Sequence, residues 1–175
     1  VRLRVGVDGG EAGWTMDGDM LVIERAGNEA TIETEVEIAP AANSKLMGLY
    51  ASGSILCTQC ESEGFRRITF HPDRPDVLSR YRVRISADKA RFPVLLANGN
   101  LIASGDDDDA SHWAEWEDPF PKPSYLFALV AGDLAANRDR FTTMSGREVQ
   151  LAIWVREKDL PKTQHAMDSL KAAMR

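Results

Sequence analysis

The sequence predicts a mainly β protein, with irregular antiparallel or mixed sheets in a sandwich or saddle and a short C-terminal helix. Three observations carry this. Period-two alternation of apolar and polar residues recurs along most of the chain. Glycine-rich turns and prolines separate the alternating stretches at short intervals. Only the last stretch changes to a spacing of three and four.

Val1, Leu3, Val5 and Val7 share one face of the opening strand, Arg2 and Arg4 the other, and Gly9-Gly10 ends it. Asp17-Gly18 is a hairpin signal ahead of the apolar run Met20 to Ile23. From Ala30 to Ile38, Ile32, Thr34, Val36 and Ile38 alternate with Glu33, Glu35 and Glu37. A helix would scatter those glutamates around its circumference. Pro40 and Asn43 mark a turn, and Leu46 to Tyr50 and Ser54 to Thr58 read as strands. Arg66 to Phe70 is short and β-like. Two prolines in His71-Pro72-Asp73-Arg74-Pro75 require a loop.

Tyr81, Val83, Ile85 and Ala87 then alternate against Arg82, Arg84 and Ser86. Phe92 to Leu96 is an apolar run, joined through the turn Asn98-Gly99-Asn100 to Leu101 to Ala103. His112 to Trp116 reads as a strand that Pro119-Phe120-Pro121-Lys122-Pro123 interrupts. Tyr125 to Ala131 is the best candidate for a core strand. Phe141-Thr142-Thr143 leads to the turn Ser145-Gly146, and Val149, Leu151, Ile153 and Val155 form the last strand. After Lys158, Asp159 reads as a cap, Pro161 suits a first helical turn, and Ala166, Met167, Leu170, Ala173 and Met174 make an amphipathic helix. The chain opens on Val1 inside a strand pattern and closes at Arg175 inside this helix, so both ends read as cut.

Composition narrows function. The 175 residues suit one domain with a sizeable core. A net charge of −6 gives no basic footprint for nucleic acid. No run of about 18 apolar residues predicts a membrane span, and no basic-then-apolar leader opens the chain. The expected setting is cytoplasmic. Two cysteines, Cys57 and Cys60, cannot build a disulfide framework.

The quartet Cys57-Thr58-Gln59-Cys60 admits three readings. A redox pair would want a helix start after a buried strand, which these β-like flanks do not supply. A zinc site would need a second ligand pair, which is missing. The third reading is two structural cysteines. His71, His112 and His165 have no histidine partner at i+4, so no histidine–glutamate zinc helix is present. The run Asp106 to Asp109 reads as an exposed loop tip, because adjacent aspartates lack the alternating spacing of a calcium loop. Trp113, Trp116 and Trp154 read as core or groove aromatics, and a tryptophan-lined sheet also suits a stand-alone module binding carbohydrate or protein. No complete catalytic constellation is present.

The stretch from Cys57-Thr58-Gln59-Cys60-Glu61-Ser62-Glu63-Gly64-Phe65-Arg66-Arg67 to Phe70, continued by Pro72-Asp73-Arg74-Pro75-Asp76-Val77-Leu78, resembles the amino-terminal domain of the bacterial aminopeptidase N type within the zinc-dependent M1 peptidase family. Leu95-Leu96-Ala97-Asn98-Gly99-Asn100, Trp116-Glu117-Asp118-Pro119-Phe120-Pro121-Lys122-Pro123, Tyr125 to Asp133 and Ala166-Met167-Asp168-Ser169-Leu170-Lys171 extend the resemblance. It implies residues 1–158 as the amino-terminal β domain and 159–175 as the start of the helix leading into a catalytic domain. It implies a parent enzyme, a zinc metallo-aminopeptidase acting on peptides with a free N-terminus, whose zinc this fragment does not bind. It also implies two substrate-binding residues: Glu61, which grips the free α-amino group, and Gln59, which lines the first side-chain pocket. Glu63 carries no such role and is expected to be structural. The implied partners are peptides and the protein's own catalytic domain, with neither nucleic acid nor membrane.

Overall fold

The computed structural model describes residues 3–8, 10–11, 13–24 and 29–175. Val1, Arg2 and Gly9 of the predicted opening strand lie outside them. Fourteen strands and one α-helix are described. Every strand pairing among them is antiparallel.

The N-terminal part holds two small sheets. Strands β1 (Leu3–Val7), β2 (Gly10–Glu11) and β5 (Ile32–Val36) pair in the order β2-β1-β5. The hairpin β3 (Trp14–Asp17) and β4 (Met20–Ile23) turns at Gly18, whose φ of +57° suits the turn signalled by Asp17-Gly18.

The main body is a sandwich. One sheet orders β6 (Gly48–Ser52), β7 (Ile55–Gln59), β12 (Leu129–Gly132) and β9 (Val94–Ala97) as β6-β7-β12-β9. The other orders β10 (Asn100–Asp106), β11 (Ser111–Lys122) and β8 (Ser79–Asp88) as β10-β11-β8. Tyr81, Val83, Ile85 and Ala87 of β8 turn inward, and Arg80, Arg82 and Arg84 face solvent. The core forms where the sheets meet: Leu95, Ala114 and Ala131 are buried, with Leu56, Ile85, Ala87, Phe92 and Trp116 packed on them. Each large apolar side chain sequestered there contributes about 1.5–3 kcal/mol. The Trp116 indole N–H donates to the Leu95 carbonyl at 3.2 Å, so the ring enters the core with its polar atom satisfied.

A hairpin of β13 (Ala135–Thr142) and β14 (Glu148–Val155) follows, then a 3₁₀ segment (Glu157–Lys162) and α1 (Gln164–Ala173). The helix packs on the hairpin. Its buried stripe runs through Met167, with Leu170, Lys171 and Met174 half-buried, while Ala166 and Ala173 are exposed. Asp159 does not cap α1. It pairs with Arg156 at 3.1 Å and Lys162 at 2.8 Å and so ties the 3₁₀ segment instead.

Other elements also differ from the sequence expectation. Arg66 to Phe70 is not a strand: Phe65–Arg67 is a 3₁₀ turn. Tyr125 to Ala131 is broken by a 3₁₀ turn at Ser124–Leu126, leaving β12 to begin at Leu129. Asn98 holds that break, donating to the Leu126 carbonyl at 3.1 Å and accepting from the Ala128 N–H at 2.6 Å. The prolines at 119 and 121 do not end β11. They fall where its register against β8 shifts, between Asp118 and Lys122, so no ladder donor is missed there.

Candidate functional site

Gln59 and Glu61 lie at one end of the sandwich. Gln59 is the last residue of β7, paired with Gly48 at the start of β6. Cys60 follows, 3% exposed, and plugs the chain into the interior. The chain then turns over residues 61–64, closed by the Gly64 N–H donating to the Cys60 carbonyl at 2.8 Å. Gly64 is required there by close approach: a Cβ would stand 2.4 Å from the Gln59 carbonyl oxygen. Gly48 meets the same end of the site from the other side, with φ of +74° and a Cβ position 2.8 Å from that of Arg67.

The turn is anchored beneath by aromatic packing. Phe65 meets His71, Phe127 and Tyr81 edge-on, with ring centroids 5.1, 5.0 and 6.1 Å away. Such pairs add about 0.5–1.5 kcal/mol each beyond area burial. Lys122 lies over the Tyr81 ring at 4.5 Å and pairs with Asp118.

The carboxylates of the turn have different fates. Glu63 pairs with Arg66 at 2.6 Å. Glu61 and Gln59 are exposed, and their side chains make no hydrogen bond or ion pair among the described residues. A fixed backbone turn thus presents one unengaged carboxylate and, two residues before it, one unengaged carboxamide. Such a pair can accept from an ammonium and either donate to or accept from an amide.

Asp73 was not singled out by the sequence. It is 5% exposed, and its Oδ2 accepts from the Arg66 N–H at 2.9 Å and from Arg66 Nε at 3.1 Å. Its Oδ1 accepts from the Ser124 hydroxyl, itself 1% exposed. Burial alone would push this carboxyl up, but the Ser124 and Arg66 donors outweigh it and hold it below the usual carboxylate range. A depressed folded pKa means that Asp73 stabilises the fold above its unfolded value of about 4 and loses that contribution as pH falls through the folded value. The urea midpoint of Asp73→Asn should therefore lie below that of the parent at neutral pH. The gap should narrow as pH drops below about 4, and a gap that is constant with pH would contradict the clamp.

The two thiols are free. Burial, and next the Asp73 charge, push the Cys60 thiol up to about 11. That disfavours the thiolate that redox exchange uses. His71 is held below its ordinary range by burial, against the pull of Asp73, and its Nε2 is buried without a hydrogen-bond partner among the described residues. Arg84 lies over Trp113 at 4.0 Å and Arg138 over Trp154 at 4.9 Å, so guanidinium groups already stack on both rings. The acidic loop is spent locally: Asp106 pairs with Lys89, Asp107 with Arg84, and Asp108 Oδ1 accepts from the Ala110 and Ser111 N–H groups.

Among the described residues, no group of three or more His, Cys, Asp or Glu side chains could hold a metal ion. Among those residues the zinc implied by the resemblance has no fitting donor set. No helix among them is long and apolar enough to cross a membrane.

A sandwich of this form matches a known module. The model of the peptidase M1 N-terminal domain fits residues 14–126, and the chain belongs to that family. Among relatives, aminopeptidase N of Caulobacter vibrioides is 56% identical over 178 residues, covering 99% of this chain and 20% of that protein. The chain therefore spans about a fifth of the length of that curated relative. Aminopeptidase A of Legionella pneumophila, solved in complex with aspartic acid, superposes with a TM-score of 0.91 at 35% identity, over 98% of this chain and 21% of that one. An M1 zinc metallopeptidase from Deinococcus radiodurans shares the fold, with a TM-score of 0.70 at 14% identity over 89% of this chain and 38% of that one.

Proposed function

We propose that this chain is the non-catalytic amino-terminal domain of a zinc metallo-aminopeptidase, and that it supplies the anchor for the substrate's free α-amino group. The observation that carries this is the contrast within one turn: Glu63 is engaged by Arg66, while Glu61 is exposed and unpaired. Glu61 is the anchor, and Gln59 lines the pocket for the first side chain. An α-amino group titrates near 8, so much of it is cationic at neutral pH. A carboxylate in its path favours the charged form and makes a short charge-assisted bond. Fixing that bond at the chain's end makes the enzyme count from the N-terminus and remove one residue at a time.

The hydrolytic metal belongs to the rest of the full-length protein. Residues 1–158 are the β domain and 159–175 begin the helix into the catalytic domain. The partners are peptides with a free N-terminus and the protein's own catalytic domain, and a cytoplasmic setting suits the free thiols.

Residues 1–175 alone should hydrolyse no aminoacyl anilide and hold far less than one zinc per chain after dialysis. Turnover above the buffer rate, or stoichiometric zinc by metal analysis, would overturn the non-catalytic assignment.

A further inference from the structure

The turn that carries Glu61 is tied to a buried carboxylate lying outside the turn itself. Both oxygens of Asp73 are committed: Oδ2 to the backbone N–H and Nε of Arg66, and Oδ1 to the Ser124 hydroxyl. Arg66 Nη2 also donates to the Asp73 carbonyl at 2.8 Å. One carboxylate thus clamps the 3₁₀ turn at Phe65–Arg67 to the one at Ser124–Leu126. From Arg66 the contacts continue outward to Glu63 at 2.6 Å. Among the described residues, that is the one ion pair or side-chain hydrogen bond made by residues 61–64.

An exposed ion pair by itself is worth about 0–1 kcal/mol, because two mobile side chains must be ordered to form it. Here one partner is already ordered. The Asp73 side chain is 3% exposed and grips the Arg66 guanidinium from below, so Glu63 closes onto a fixed donor. A free carboxylate on the same short turn inherits that order.

We propose that Asp73 and Arg66 are positioning residues for the substrate's amino group: through Glu63 they hold the 61–64 turn so that Glu61 meets the amine in one geometry. The inference rests on the reading of Glu61 as the anchor. Neither residue need touch substrate. Their contribution is orientation, and a misplacement of about 1 Å can cost up to about 100-fold in rate.

The test is a set of mutant cycles in the full-length protein, read as KM and kcat for an aminoacyl substrate. Asp73→Asn and Glu63→Ala should each raise KM about 3- to 10-fold with a smaller change in kcat. In a Glu61→Gln background both effects should shrink, because the charge being positioned is gone and only a neutral acceptor remains. A merely structural role would lower activity equally in both backgrounds. Glu63→Ala keeps the test alive if Asp73→Asn fails to fold, since the Glu63 side chain is 44% exposed and the clamp below it stays intact. If Glu61→Gln is impaired while the other two are silent or additive with it, positioning is overturned and the anchor stands. If Glu61→Gln is itself unimpaired, the anchor falls and the positioning inference with it.

Discussion

Glu61→Gln in the full-length protein is expected to lower kcat/KM for an aminoacyl substrate about 10- to 100-fold. The size follows from the interaction lost, since a hydrogen bond to a charged group is worth about 1.5–3 kcal/mol. Glutamine keeps the shape and one acceptor oxygen, so the change isolates the charge. The loss should depend on the substrate's amine: an N-acetylated analogue, already a poor substrate, should be handled equally by both proteins. Gln59→Ala should act differently. With no charge to lose, it should shift the preference among first side chains more than the demand for a free amine. An unchanged kcat/KM for Glu61→Gln would remove the anchor role.

Met167→Ala is expected to be the most damaging single truncation in the C-terminal segment, at about 2–5 kcal/mol. Met167 is 1% exposed on the inner face of α1, and its backbone N–H donates to the Thr163 carbonyl at 3.0 Å. Polar contacts flank it: Asn137 Nδ2 donates to the Thr163 hydroxyl at 3.0 Å, and Lys171 pairs with Asp139. Removing the thioether leaves a cavity between helix and hairpin that these contacts cannot fill. Thermal unfolding should shift down, and amide exchange should quicken first in α1, β13 and β14. An unchanged midpoint would mean that the helix adds no stability to the β domain.

The polar face of that hairpin also shows where sequence reading stops. Period-two alternation revealed β8 and β14 because their inward residues are apolar. It missed β13 before Phe141, where Asn137 and Asp139 turn toward the C-terminal segment and are satisfied by Thr163 and Lys171 some thirty residues later. The pleat alternates there, but hydrophobicity does not. The two 3₁₀ turns escaped for a related reason. Phe65–Arg67 and Ser124–Leu126 are set by Asp73, which joins Arg66 seven residues before it to Ser124 fifty-one residues after it. A strand-like composition cannot report a distant carboxylate, although Pro123 just before Ser124 hinted at a break.

The candidate site divides in the same way. The family likeness pointed to Gln59 and Glu61 and carried no substrate role over to Glu63. What the residues alone could not reveal is why Glu61 is the free carboxylate of the two. That follows from Arg66, which Asp73 holds on the side of Glu63.

The most direct test of the anchor is a structure of the full-length protein with an amino acid or dipeptide analogue bound through its free amine. The expected result is a Glu61 carboxylate oxygen about 2.7–2.9 Å from the ligand's α-amino nitrogen, with Gln59 against the first side chain and the 61–64 turn unmoved. An amine held entirely by groups outside this chain, with Glu61 facing solvent, would contradict it.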